Sequence, residues 1–305
     1  MTSVLEQLLN GLQFGVMLFL MAAGLTLIFG IMNLINLAHG SLYMVGAYVA
    51  ASTFAVTHSF ALALIAAVAA AAVVGVAIEL IVFRMLYARD HLDQVLATFG
   101  LILFFNEAVR MLWGATALYT QVPGFLSGQV DLLPGAPYPA YRLAIIAAGL
   151  LVAAALWLLI SRTRTGMLIR AGAANRTMVG ALGVNVRLLY TLVFALGAGL
   201  AALSGAMAAP VFTVESGMGD DFLILAFVVI VIGGIGSIRG AFIAALLVGV
   251  VDTTGRAFLR PLFSLLMSNT AADHAGPTVA SMLIYVLMAA VLFFRPTGLF
   301  PAPGR

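Results

Sequence analysis

The polar side chains best placed for chemistry lie in Gly30-Ile-Met-Asn-Leu-Ile-Asn-Leu-Ala-His-Gly-Ser-Leu-Tyr-Met-Val-Gly46, where one apolar run meets the next. Asn33 and Asn36 are three residues apart and share a helix face, with Gly40 and Tyr43 continuing the row. Uncharged amides inside an apolar bundle can hydrogen-bond a polar solute, or they can join two helices. His39 has no carboxylate or second histidine at ligand spacing. A helix-end hydrogen bond is therefore expected of it, and a metal site is not.

A second candidate is Ile232-Gly-Gly-Ile-Gly-Ser-Ile-Arg-Gly240. Gly233, Gly234 and Gly236 permit unwound backbone beside Ser237, and interrupted helices of this kind mark substrate pathways in transporters. The same residues suit a packing kink or a tight turn with Arg239 in water. The run lacks the lysine and the strand-to-helix context of a phosphate-binding glycine loop.

The third is Ser161-Arg-Thr-Arg-Thr-Gly-Met-Leu-Ile-Arg-Ala-Gly-Ala-Ala-Asn175, continuing to Gly183-Val-Asn185. Arg162, Arg164, Arg170, Arg176 and Arg187 all fall within residues 161–188. Arginine at mid-bilayer costs about 2.5–3.5 kcal/mol on insertion scales, so this segment belongs in water or headgroups. Met167, Leu168, Ala171, Ala174, Met178 and Ala181 recur at helical spacing with Arg170 and Arg176 off that stripe, which predicts a short amphipathic helix. Such a helix either anchors on anionic lipid or docks a partner whose acidic groups pair with the guanidinium forks.

Other chemistry is excluded by what is missing. All 14 basic residues are arginine and none is lysine, so neither a P-loop nor a Schiff-base enzyme can be built. With no cysteine there is no disulfide, thiolate nucleophile or Cys-ligated metal. HExxH, GxSxG and paired catalytic aspartates are also lacking. No catalytic residue is assigned, and the arginines are too scattered among apolar runs to track nucleic acid.

These features are carried by a chain of 305 residues that is 64% hydrophobic and 8% charged, where a soluble domain would have about 25% charged residues. The sequence predicts an all-α, polytopic transmembrane bundle with eight or nine membrane elements: 8–30, 40–56, 61–83, 95–113, 141–160, 189–210, 222–232, 240–251 and 277–294. The seventh and eighth are short, either two half-helices or one span with a glycine break. The whole chain, 1–305, reads as a single transmembrane domain. Residues 114–140 contain no basic residue, four of the ten prolines and four glycines. The positive-inside rule puts that loop outside, the segments around Arg84 and Arg162–Arg187 in the cytoplasm, and the N-terminus outside. Nine elements return the tail Arg295–Arg305 to the cytoplasm, with Arg256 and Arg260 on the outer side. Among the few acids, Glu107 is expected to pair with Arg110, and Glu79 to pair with Arg84 or snorkel. Asp220 and Asp221 directly precede an apolar helix and suit its N-cap and dipole, and Asp252 is expected to end a helix.

Taken together, Gly24-Leu-Thr-Leu-Ile-Phe-Gly-Ile-Met-Asn-Leu-Ile-Asn-Leu-Ala-His-Gly-Ser-Leu-Tyr-Met, Arg164-Thr-Gly-Met-Leu-Ile-Arg-Ala with Asn175 and Gly183-Val-Asn185, Gly233-Gly-Ile-Gly-Ser-Ile-Arg-Gly-Ala, and Phe294-Arg-Pro-Thr-Gly-Leu-Phe300 follow one another along nearly the whole chain. In this the sequence resembles the permease family of ABC importers for branched-chain amino acids, in particular the H-type membrane subunit. The resemblance implies an importer in a bacterial inner membrane, with a second homologous permease subunit, two cytoplasmic ATPases that hold ATP and Mg, and an extracytoplasmic solute-binding protein. This chain itself would bind no cofactor. Carried over, Arg162, Arg164, Gly166, Arg170, Asn175 and Gly183 belong to an ATPase-coupling segment. Asn33, Asn36, His39, Gly40, Tyr43, Gly233, Gly234, Gly236 and Ser237 fall in the shared motifs of the translocation pathway. Ala173-Ala174 departs from the family, which carries a more polar, often acidic residue there. The alternative is a stand-alone channel or facilitator for a small polar solute such as urea.

Overall fold

The computed structural model describes residues 2–87, 89–133 and 136–301; Arg305, and Pro134 and Gly135 of the Pro/Gly loop, lie outside them. The helices are α1 (Thr2–Met32), α2 (His39–Thr57), α3 (Phe60–Ile78), α4 (Arg84–Leu86), α5 (His91–Trp113) and α6 (Ala140–Arg162). Then follow α7 (Arg164–Ala174), α8 (Arg176–Ala181), α9 (Val186–Ala208), α10 (Met218–Gly233), α11 (Ile238–Ser264) and α12 (Asn269–Phe294). A π-helical turn, Glu79–Phe83, joins α3 to α4. Among the described residues eight helices are long and apolar enough to cross a membrane: α1, α2, α3 with α4, α5, α6, α9, α11 and α12. At about 1.5 Å per residue the 16-residue α10 is too short to do so. The protein is a multi-pass membrane bundle.

α1 is the axis of the bundle. Its central residues, including Val16, Leu18, Leu20 and Ala22, are buried, because α6, α9, α10 and α11 all pack around it. The α1–α11 crossing rests on Gly11 and Gly15, one turn apart; a Cβ at Gly15 would lie 2.7 Å from the Ala245 carbonyl oxygen. Small residues at this spacing let two helix backbones approach, which compensates for the weak hydrophobic drive between helices in lipid.

Both α2 and α10 start inside the bundle. α1 ends with Asn33 in the left-handed region (φ 53°), a conformation asparagine tolerates at a helix C-terminus. Residues 33–38 then run back beside α1, so that His39, the first residue of α2, reaches the carbonyl of Met21 near the middle of α1. On the other side α9 runs antiparallel to α1, with Gly24 on Gly197 and the Ser204 hydroxyl donating to the Met17 carbonyl at 2.8 Å. Beyond α9, residues 209–217 likewise turn back, and α10 starts against α2. Gly40 meets Gly219, and one turn further Tyr43 stacks on Phe222 with ring centroids 4.7 Å apart. α2 and α10 thus both begin at this contact.

Several expectations are corrected here. Asn33 and Asn36 do not share a helix face, because the helix stops at Met32. The seventh and eighth elements are neither two halves nor one broken span, since α11 is full length and only α10 is short. Asp252 does not end a helix; it lies within α11, where its carboxylate accepts from Arg256 Nε at 2.9 and 3.0 Å. Asp220 and Asp221 occupy the first turn of α10, but the cap position is Gly217. The Pro/Gly loop is not featureless: Gln129–Leu133 and Ala136–Pro139 form a small antiparallel hairpin, β1 and β2. The expected pairs Glu107–Arg110 and Glu79–Arg84 are formed, at 3.0 and 3.4 Å.

Candidate functional site

At the mid-bundle contact of α2 and α10, uncharged polar groups are concentrated. Asn36, His39 and Tyr43 are fully buried. His39 Nε2 donates to the Met21 carbonyl at 3.2 Å, the helix-end hydrogen bond expected from the sequence, which leaves Nδ1 as the acceptor. That Nδ1, both side-chain atoms of Asn36, the Ser41 hydroxyl and the Tyr43 hydroxyl find no protein partner among the described residues, nor does the Thr26 hydroxyl on α1. A buried polar atom left without a partner costs about 1–3 kcal/mol. All of these groups are neutral, so the contact carries hydrogen-bonding capacity without charge. The backbone adds to the polarity, since α2 presents its first amides here and the Ala38 position supplies no side-chain cap.

The glycine run lies elsewhere. Gly233 closes α10, Gly234 (φ 102°) and Gly236 (φ 82°) form a tight turn, and Ser237 caps α11 by accepting from the Gly240 amide at 3.1 Å. Gly236 faces Gly30 near the end of α1. The turn is clamped by the last sequence motif: Leu299 N donates to the Ile232 carbonyl at 2.8 Å and Phe300 N to that of Gly233 at 3.0 Å. The structure therefore separates the residues expected to line a pathway into a mid-bundle set (Asn36, His39, Gly40, Tyr43) and a turn at the bundle end (Gly233, Gly234, Gly236, Ser237). Asn33 belongs with the second level, exposed near Gly172–Arg176.

At that same arginine-rich end the predicted single amphipathic helix is two helices, α7 and α8, broken at Asn175, whose side chain accepts from Met178 N at 2.9 Å and so caps α8. Thr163 caps α7 by accepting from Gly166 N at 3.0 Å. Gly166 packs directly on the last turn of α6, and Gly172 lies against Leu189 and Ile31. With Ile169 and Val179 these are the buried positions. The expected stripe is thus displaced: Met167 and Met178 are exposed, as is Leu182 at 77%. They share the outward surface with Arg164, Arg170 and Arg176. Gly183, with φ 86°, makes the turn toward α9.

Sequence reasoning gave Glu79 one partner, Arg84; the structure adds Tyr87 and Thr191. Glu79, on the π-turn, is fully buried and accepts from Tyr87 OH at 2.8 Å, from Thr191 Oγ1 at 2.7 Å and from Arg84 Nε at 3.4 Å. Burial first, and the hydrogen bond to Glu79 second, hold the Tyr87 phenol protonated well above its usual range. The only signal in the sequence was a carboxylate five residues before an arginine.

A family model described as "Branched-chain amino acid transport system / permease component" matches residues 7–292, nearly the whole chain. The chain belongs to this permease family. Among family members, the high-affinity branched-chain amino acid transport system permease protein BraD of Pseudomonas aeruginosa is 33% identical over 98% of this chain and 96% of its own length. The corresponding protein LivH of Escherichia coli K12 is 27% identical over 98% and 96%. The ribose import permease protein RbsC of Escherichia coli K12 is 28% identical over 76% of this chain and 72% of its own. No solved structure matches. Family membership accounts for why four separated motifs occur in one chain: here three of them, the glycine turn, the C-terminal Phe-Arg-Pro-Thr-Gly run and the end of α1, are in contact at one level, beside α7.

Proposed function

We propose that this chain is one membrane subunit of an ATP-driven importer for branched-chain amino acids or a related small solute, placed in a bacterial inner membrane with the α7–α8 end in the cytoplasm. A second permease subunit, two ATPases bearing ATP and Mg, and an extracytoplasmic binding protein complete it. The observation that carries this reading is the outward face of α7–α8, where exposed Met167, Met178 and Leu182 alternate with Arg164, Arg170 and Arg176 on a pair of helices seated through Gly166 and Gly172 on the bundle. A patch that is both apolar and basic, yet rigidly backed, suits a protein partner better than water alone. Closure of an ATPase dimer against it would move α6 and α9, which flank it in sequence, and through them the α2–α10 contact. At that contact Asn36, His39 and Tyr43 offer neutral hydrogen bonds to a passing solute without the tight charged grip that would hold it.

In a strain lacking its own importers, the chain expressed with its partner subunits should support uptake of labelled leucine that excess unlabelled leucine, isoleucine or valine reduces by about tenfold and excess urea does not. Tagged chain should co-purify with the ATPase subunits. Competition by urea or aromatic acids alone would redirect the solute assignment, and uptake without any bound ATPase would remove the importer reading.

A further inference from the structure

We propose that the groove between α6 and α11, at the arginine-rich end, is a binding site for one anionic phospholipid. It has a volume of about 700 Å³ and opens on the flank of the bundle. Its walls are apolar, with Trp157 on α6 and Phe242 on α11 facing each other over Phe19 of α1, and the Phe19 and Phe242 rings meet edge-on at 5.0 Å. Trp157 is 58% exposed, and Leu151 and Leu158 of the same helix are exposed too, so α6 presents an apolar surface outward. Arg170 of α7 and Arg239 of α11 also line it, with Ser161, whose hydroxyl donates to the Trp157 carbonyl at 2.6 Å.

Charge complementarity selects the occupant. No carboxylate lines the groove, and neither arginine has an ion-pair partner among the described residues. The Arg239 guanidinium carbon lies over the Phe300 ring, 5.3 Å from its centroid. That cation–π contact restrains the guanidinium, whose N–H groups can donate to a phosphate oxygen. Two guanidinium groups lining a largely apolar, aromatic groove match a lipid with a net negative headgroup: the arginines hold the phosphate, the apolar wall holds the chain. Free phosphate would leave the apolar wall unused, and a zwitterionic lipid would bring its own cation to two unpaired arginines.

The chain contains two tryptophans, and only Trp157 is in this groove. The test uses the full chain with Trp113→Phe, in nanodiscs of phosphatidylcholine containing either dibrominated phosphatidylglycerol or dibrominated phosphatidylcholine at equal mole fraction. Trp157 emission should be quenched by the brominated anionic lipid at roughly tenfold lower mole fraction, since two basic residues each contribute a several-fold preference. The preference should vanish in Arg170→Gln/Arg239→Gln protein whose circular dichroism and elution match the parent. If Trp113→Phe does not give monodisperse protein, the difference between the parent chain and Trp157→Phe reports the same signal. Equal quenching by the two lipids, a preference that survives loss of both arginines, or no quenching by either because protein covers the groove, would each overturn the proposal.

Discussion

Gly205→Val protein loses the packing between α2 and α9 and melts about 10 °C lower in detergent, with much of it eluting as aggregate. A Cβ at Gly205 would overlap the Tyr43 carbonyl oxygen and lie 3.2 Å from the Ala47 amide nitrogen, both backbone atoms of α2. No rotamer relieves a clash with backbone, so the helices must separate, and overpacking of this kind costs about 1–3 kcal/mol or more. At roughly 2–4 °C per kcal/mol for a chain of this size, the upper part of that range gives the stated fall. The separation begins at Tyr43, so it also opens the stack on Phe222 where α2 meets α10. The control is Gly100→Ala on α5, where an added Cβ meets nothing within 4 Å. Its melting temperature stays level or rises, because alanine is the better helix former. Equal melting of both variants would show that the α2–α9 approach is looser than described.

The second large effect concerns transport. Arg164→Ala/Arg176→Ala protein inserts and folds as the parent does, since both side chains are exposed and the buried contacts of α7 and α8 come from Gly166, Ile169, Gly172 and Val179. Coupled uptake nevertheless falls at least a hundredfold. A charge-assisted hydrogen bond contributes about 1.5–3 kcal/mol, so losing two weakens ATPase docking by about 3–6 kcal/mol. Co-purified ATPase and uptake are measured on the same preparation. Wild-type uptake with normal ATPase recovery would show that α7–α8 is not the coupling surface.

These two sites also mark what the sequence made legible. The long spans, the arginine-rich end and the short seventh element were readable because hydropathy and charge report solvent directly. The surface of α7–α8 was read inside out. A stripe of methionine and alanine at helical spacing signals an apolar face but not what covers it; here glycines make the close contact with the bundle, and the larger side chains are left outward. Asn33 and Asn36 went to different levels because a left-handed residue at position 33 ends the helix, a backbone event that side-chain periodicity does not register. Asp252 was taken for a terminus because the apolar run ends at Val251, yet Arg256 one turn on neutralises it within α11. Glu79 joins three partners, one of them Thr191 on α9, which no local pattern links to it.

The central claim, that this chain is a pathway driven by ATP hydrolysis on other subunits, is tested most directly by reconstitution. Liposomes carrying the chain with its partner permease, the ATPases and the binding protein are loaded and assayed for labelled leucine with ATP, without ATP, and with the chain alone. The account predicts accumulation against a gradient only in the complete, ATP-supplied vesicles, and no leucine flux through the chain by itself. Leucine equilibration through vesicles holding only this chain would contradict it.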